Sequence, residues 1–238
     1  MDAWEQRSWD KGSDIAARTS GVYMTSNVQG PYSGRSIGKI VQAEEGYSWK
    51  AVDGWQVENF ALSTDEEYPI WATTPKGGIW KRNAAESAWE ALNGCGADIS
   101  ISSYNEAYVI GKEDGALYTW SDYDEDWLVV SDAGTGLVRV DASMKKYLAA
   151  ITEHGKVITN LPVQMIAIDD PADYKDPTNG NDITFKEIPV DPSTIKPPNK
   201  KVTVIDIQFA PDRTKDEDVG LWAVTSDNKV WYYKDGSW

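Results

Sequence analysis

Gly38-Lys39-Ile40, Gly78-Ile79-Trp80, Gly115-Ala116-Leu117-Tyr118 and Gly155-Lys156-Val157 are four versions of one short segment, and Asn228-Lys229-Val230-Trp231 is a fifth. With the apolar residue as anchor, positions 40, 79, 117 and 157 lie 39, 38 and 40 residues apart. A period of this length marks an array in which each repeat is one supersecondary unit packed on its neighbours. A short β-rich run precedes each anchor: Val22-Tyr23-Met24, Ile70-Trp71-Ala72, Ala107 to Ile110, Tyr147 to Ala150 and Leu221 to Val224. Another lies upstream of each: Ile15-Ala16-Ala17, Val57 to Leu62, Ile99-Ser100-Ile101, Leu137 to Val140 and Val204 to Ile207. Trp49, Trp89, Trp127 and Trp238 then follow a small or acidic turn and open a fourth run.

Val, Ile, Thr, Tyr and Trp suit pleated, half-buried surfaces, and Gly, Asn and Asp stand where tight antiparallel turns need positive φ. No run of 10 or more residues has helical periodicity. Four short strands per unit predict an all-β chain, a single β-propeller of five four-stranded blades over 1–238, with approximate blades 4–48, 49–88, 89–126, 127–184 and 185–238. The spacing breaks between Val157 and Val230, a 73-residue interval that holds most of the prolines. In the five-blade reading Phe185 to Ile188 supplies the strand that Trp127 to Val130 supplies elsewhere, and Pro189 to Asn199 is an insertion. A six-blade alternative takes Val163 to Ile168 as the remnant of another blade. The interval offers about two strand-like runs before Val202, which favours five.

Lys and Arg number 23 against 38 Asp and Glu, a net charge of −15. Such a surface repels phosphate backbones and anionic lipid, which argues against nucleic acid and against polybasic membrane docking. No apolar run approaches the ~20 residues of a membrane helix, so no membrane insertion is expected. The start, Met1 to Glu5, does not read as a signal peptide. With one cysteine, Cys95, and no Asn-x-Ser/Thr acceptor, the expected location is cytoplasmic, with unconventional release as the route outward. Acidic runs at Asp122 to Asp126, Asp169-Asp170, Asp173 to Asp176 and Asp212 to Asp218 read as solvated loop tips. Asp176 to Asp182 and Asp216-Glu217-Asp218 offer oxygens without the spacing of a helix-flanked calcium loop, so no metal and no cofactor is expected. The single His154 reads as a turn residue, Cys95 lies in Asn93-Gly94-Cys95-Gly96 with no companion base, and no nucleophile or phosphate-loop motif is present. The expectation is a protein without catalytic residues.

The aromatic load carries the functional signal: 12 Trp and 12 Tyr against 3 Phe. Trp and Tyr are favoured where one face is apolar and one edge must hydrogen-bond. The recurrent Trp49, Trp89, Trp127 and Trp238 read as packing between units. Trp80, Tyr118, Trp120, Trp231, Tyr232 and Tyr233 lie on or after the third strand. Of these, Trp80, Tyr118, Trp120, Trp231 and Tyr233 are the candidate carbohydrate-binding residues, because a pyranose stacks its C–H face on an aromatic ring while nearby Asp, Asn and Lys take its hydroxyls. One such site per blade would be multivalent.

Units ending in Gly38 to Trp49 and in Asn228 to Trp238 resemble the fungal β-propeller lectins. Leu221-Trp222-Ala223-Val224 and Ile70-Trp71-Ala72-Thr73 are similar to the tectonin-type strand, and Asp235-Gly236-Ser237-Trp238 to the closing turn of Aleuria-type fucose lectins. The Arg and Glu of the fucose site are not matched, since the positions after the turn are Gln42, Arg82, Trp120, Asn160 and Tyr233. The resemblance therefore implies the fold and the sugar-binding class: a multivalent lectin whose partners are glycans or glycoproteins, with a defence role. The alternatives are a protein-interaction propeller docking a partner through aromatic patches, and a glycoside-acting enzyme with a carboxylate pair in the central channel.

Overall fold

β-Branched and aromatic residues alternating with polar ones make each run a half-buried strand, and each strand pairs antiparallel with the next in sequence. The protein is seen in a computed structural model, which describes residues 12–18, 21–26, 36–43, 46–51, 57–63, 69–83, 88–102, 105–130, 133–143, 147–160, 186–188, 203–209, 220–226 and 229–233. The first sheet is β1 (Gly12–Arg18), β2 (Gly21–Ser26), β3 (Ser36–Ala43) and β4 (Gly46–Ala51), and the second is β5 (Asn59–Leu62), β6 (Ile70–Thr73), β7 (Ile79–Arg82) and β8 (Trp89–Leu92). The third is β9 (Gly96–Ile101), β10 (Ala107–Gly111), β11 (Leu117–Ser121) and β12 (Asp126–Val129), and the fourth is β13 (Leu137–Ala142), β14 (Leu148–Thr152), β15 (Val157–Thr159) and β16 (Lys186–Ile188). The fifth has three described strands, β17 (Val204–Phe209), β18 (Leu221–Thr225) and β19 (Val230–Tyr233). The chain divides into two compact units, Met1–Gly96 and Ala97–Trp238. The first unit holds the first two sheets and the second holds the other three, β9 starting on the residue before it.

The expected repeat of antiparallel strands is there. The strand expected at 185–188 is there too: Ile158 pairs with Glu187 and Thr159 with Lys186. Val163 to Ile168, Pro189 to Asn199, Asp169 to Asp182 and Trp238 lie outside the described residues. Trp49, Trp89 and Trp127 do recur at one register position, opposite Ile40, Arg82 and Trp120.

Two details of the repeat differ from the motif reading. Gly38 is not a turn glycine but a strand residue paired with Met24, so the first anchor is Ile37, opposite Thr25, just as Ile79 is opposite Thr73. Ile37 is fully buried, as the anchor should be. The tryptophan strand pairs with the third strand of its own repeat, as a fourth run should, so the first three sheets end at Ala51, Leu92 and Val129 and not at the approximate blade bounds 48, 88 and 126.

Consecutive sheets within a unit face each other through rows of paired residues. The second and third strands carry one such row at Tyr23–Lys39, Trp71–Lys81, Tyr108–Thr119, Ala149–Thr159 and Trp222–Tyr232. Two residues along lies the anchor row: Thr25–Ile37, Thr73–Ile79, Ile110–Leu117, Ile151–Val157 and Val224–Val230. Alternation puts both rows of a sheet on the same face, here termed the forward face. In the first unit, Tyr23 and Ile37 pack into Phe60, Ile70 and Ala72 of the next sheet. In the second unit, Tyr108, Ile110 and Leu117 pack against Leu137, Val140, Leu148 and Ala150, and Ala149, Ile151 and Val157 pack against Ile207, Phe209, Leu221, Ala223 and Tyr233.

Turn glycines stitch one sheet to the next. The Gly115 carbonyl accepts the Leu137 N–H at 2.9 Å and the Gly155 carbonyl that of Val204 at 3.2 Å, while within the first unit the Gly77 carbonyl accepts the Gly96 N–H at 2.8 Å. All three glycines have positive φ; in the second sheet that residue is Gly77, not the Gly78 of the motif.

Side chains on the first strands of the second unit satisfy backbone groups of the following sheet. The Asp98 carboxylate accepts the Val140 N–H at 2.8 Å and lies 3.4 Å from the Arg139 guanidinium. Ser100 Oγ accepts the Ala142 N–H and donates to Asp141, both at 3.0 Å, while the other Asp141 oxygen accepts the Phe209 N–H at 2.5 Å. Asp141 thus ties three sheets together at what would otherwise be unpaired strand edges.

Burial of that carboxyl outweighs the donors from Phe209, Ser100 and Ala142, and nearby Asp206 adds to the effect, so its pKa is raised from 3.8 to about 6. A raised folded-state pKa contributes stability that is full below about pH 4 and is lost as the pH rises through 6. Urea titrations of wild type and Asp141→Asn should therefore show the wild type losing stability relative to the variant between pH 4 and 7. The loss should reach as much as about 3 kcal/mol, and a difference independent of pH would contradict it.

Candidate functional site

β18 and β19 obey the same alternation as their counterparts but with a different outcome. The anchors Ile37, Ile79, Leu117 and Val157 are at most 1% exposed, whereas Val230, at the same position, is 65% exposed. Tyr23, Trp71, Tyr108 and Ala149 are buried, whereas Trp222, their equivalent, is 44% exposed. Among the described residues no further sheet follows the fifth within the second unit, and Trp222 and Val230 on its forward face mark the candidate site.

Two cross-strand rows build it. Gln208, Trp222 and Tyr232 form one, and Asp206, Val224 and Val230 the other. The Trp222 and Tyr232 rings pack at 4.5 Å between centroids with planes tilted by 35°. This pairing fixes both side chains while leaving indole surface to solvent. Gly220, at the start of β18, makes room for the phenol: a Cβ there would run into the Tyr232 ring. Gln208 stands opposite Trp222 in the ring row, and Asp206 stands in the next row opposite Val224 with Arg139 as its charged neighbour. Desolvation by neighbouring strands raises the Asp206 carboxyl, an effect opposed first by Arg139 and then by the Ile207 N–H, which it accepts at 3.0 Å. A bulge in β17 between Val204 and Asp206 sets this parity and exposes Ile205. The two rows thus hold an aromatic pair, an apolar step at Val230 and the Gln208 amide, with the Asp206 carboxylate in charge range of Arg139.

The five candidate residues from the sequence do not come together there. All stand on the opposite parity of the third strand: Trp80 pairs with Ala72, Tyr118 with Val129, Trp120 with Trp127, Trp231 with Ala223 and Tyr233 with Leu221. Tyr233 is a buried core residue, and Trp231 packs against the same cluster with its indole N–H buried and unpartnered. Tyr118 is half-buried and donates to Asp114 at 2.5 Å, a bond that raises the phenol pKa and lowers that of the carboxyl. Trp120 is half-buried, donates to Asp122 at 2.9 Å and meets Trp127 edge-on at 5.2 Å. Trp80 is half-buried with its indole nitrogen toward the Gly78 backbone. Trp222, part of a strand motif in the sequence, is the exposed tryptophan among those whose side chains are described. The carboxylates Asp98, Asp141 and Asp206 were also missed; their signal is a charge placed between β-branched or small residues in the first run of a unit.

Elsewhere, His154 sits in the turn between β14 and β15, 3.7 Å from Glu153, as expected of a turn residue. The Cys95 thiol has the Lys76 carbonyl at 3.7 Å. Among the described residues no group of three His, Cys, Asp or Glu converges on a metal-sized point, and no helix is long and apolar enough to cross a membrane.

No protein-family profile matches the chain, and no characterised protein matches it in sequence. Solved structures do match. YCF48 from Cyanidioschyzon merolae is 12% identical with a TM-score of 0.55, covering 99% of this chain and 72% of its own. YCF48 bound to D1 peptide is 13% identical with a TM-score of 0.51, covering 99% and 67%. The nidogen/laminin complex gives 10% identity and a TM-score of 0.55, covering 90% and 72%. These are β-propeller structures, and the fold of this chain is that of a β-propeller.

Proposed function

We propose that the chain is a non-enzymatic binding propeller that docks a partner protein, with Trp222 of the fifth sheet in the contact. The observation that carries this is the exposure of Trp222 and Val230 at positions that every other sheet buries. An exposed, ring-braced tryptophan rimmed by polar groups has the make-up of an interface hot spot. Two of the similar structures are of complexes, YCF48 with D1 peptide and nidogen with laminin, and they lend the docking reading support that the lectin reading lacks. Wild-type protein on beads should retain one protein stoichiometrically, insensitive to glycosidase, and Trp222→Ala should weaken retention at least tenfold, since a hot-spot tryptophan contributes about 2 kcal/mol or more. Equal retention by Trp222→Ala would count against this face.

A second reading keeps the lectin. The Trp222 indole surface beside the Gln208 amide and the Asp206 carboxylate offers a sugar both a stacking plane and hydroxyl partners. Binding on a glycan array that is lost with Trp222→Ala, together with retention abolished by glycosidase, would favour it over protein docking.

A further inference from the structure

On the second sheet, the residues of opposite parity to the forward face include a row across all four strands: Leu62, Ile70, Arg82 and Trp89. Ile70 belongs to the cluster it shares with Tyr23 and Ile37 of the first sheet, and Leu62 and Trp89 pack against that cluster. Arg82 is therefore a cation set into an otherwise apolar row between two sheets of the same unit. Its Nε and the Trp89 Nε1 are both buried, and neither has a hydrogen-bond partner. The two residues are directly opposed, which in an antiparallel pair sets their Cβ atoms about 5 Å apart on one face.

The same position, three residues past the anchor, is satisfied within the chain in the other sheets. Trp120 donates to Asp122 at 2.9 Å, Asn160 Oδ1 accepts the Leu148 N–H at 2.7 Å, and Tyr233 is buried in its core cluster. In the first sheet Ile40 stands opposite Trp49, so the register does not call for a cation. Although the chain has 38 acidic residues, no ion pair joins Arg82 to another described residue. Two buried donors side by side, one of them charged, lack an anionic acceptor.

We infer that Arg82 and Trp89 form a binding site for a carboxylate at the contact of the first two sheets. The guanidinium offers parallel N–H donors that match both oxygens of a carboxylate, and the indole N–H adds a third donor. A carboxylate carries the single charge that Arg82 balances, whereas a phosphate would bring more negative charge to a chain already at −15. Two sources present that group, a small free acid and the C-terminus of a polypeptide. The site lies in the first unit and stands independently of the docking reading.

The test follows the Trp89 indole N–H of the full, nitrogen-15-labelled chain by NMR, assigned with Trp89→Phe, as sodium acetate replaces sodium chloride at constant ionic strength. Acetate should shift that resonance saturably. Arg82→Lys, which keeps the charge and loses the fork, should weaken binding roughly tenfold or more, and Arg82→Ile, which copies the first sheet, should abolish it. N-acetyl-triglycine bound at least about tenfold more tightly than acetate would assign the polypeptide C-terminus, and equal binding a small free acid; its C-terminal amide should not bind in either case. Thermal midpoints give a second readout. Arg82→Ile removes a buried donor without a partner, so in chloride it should melt no lower than wild type, and acetate should raise the wild-type midpoint alone. An indole resonance indifferent to acetate would leave water as the only acceptor and overturn the inference. So would tighter binding of inorganic phosphate, binding of the amide as well as the acid, or an Arg82→Ile variant that melts well below wild type in chloride.

Discussion

Leu117→Ala should destabilise the protein by about 2–5 kcal/mol, while Val230→Ala, at the same position of its repeat, should change stability by no more than about 0.5 kcal/mol. Leu117 is fully buried in a cluster with Tyr108, Ile110, Leu137 and Val140, so truncation removes apolar transfer energy and leaves a cavity between two sheets. Val230 stands 65% exposed on the forward face of the last described sheet, and its loss leaves no cavity. Valine to alanine removes less than leucine to alanine, but chemistry alone would leave a difference of about 1 kcal/mol, one methylene's worth. The remainder is burial. Urea denaturation of the two variants, read as midpoint at unchanged slope, measures it. Comparable losses in both would mean that the Val230 face is covered in solution.

Gly115→Ala should cost roughly 3 kcal/mol or more, because two penalties coincide. Gly115 has φ +63°, in the left-handed region that L side chains rarely adopt. An added Cβ would also lie 2.8 Å from the Gly136 backbone nitrogen and 2.9 Å from its Cα, and backbone cannot swing aside as a side-chain tip can. Relief requires the start of β13 to retreat, which breaks the bond from the Leu137 N–H to the Gly115 carbonyl. Gly134 shares the positive φ but has nothing within 4 Å of an added Cβ. Gly134→Ala should therefore show the backbone penalty alone, and the difference between the two thermal midpoints isolates the stitch.

The strands were legible because their chemistry is local. Runs such as Ala107 to Ile110 and Leu221 to Val224 are apolar and rich in β-branched and aromatic residues, and the turns between such runs hold glycine and acidic residues. The fourth strand at 186–188 could be placed by counting, since a sheet that ends at Val157–Thr159 lacks its closing strand. Register was not legible. Gly38-Lys39-Ile40 looks like the other motifs, but Ile37 pairs opposite Thr25, and a shift of three residues along a strand exchanges the faces. The same problem misplaced the candidate site. Trp231 and Tyr233 are as aromatic as Tyr232, and it is the pairing of Trp231 with Ala223 that turns them inward. Exposure of Trp222 could not be read at all, because a repeat predicts that equivalent positions share one fate, and here the fifth departs from the other four. The first-strand carboxylates escaped notice for another reason: Asp141 accepts from residues 41 and 68 positions away, contacts invisible to any local pattern.

The alternation along β19 separates two demands that usually compete for the same residues. Odd positions, Trp231 and Tyr233, belong to the packed interior, and even positions, Val230 and Tyr232, look outward. Substitution at 230 or 232 therefore leaves in place the cluster that holds the sheet. In evolutionary terms the even positions of this strand are free to drift while the odd ones are held, one residue at a time.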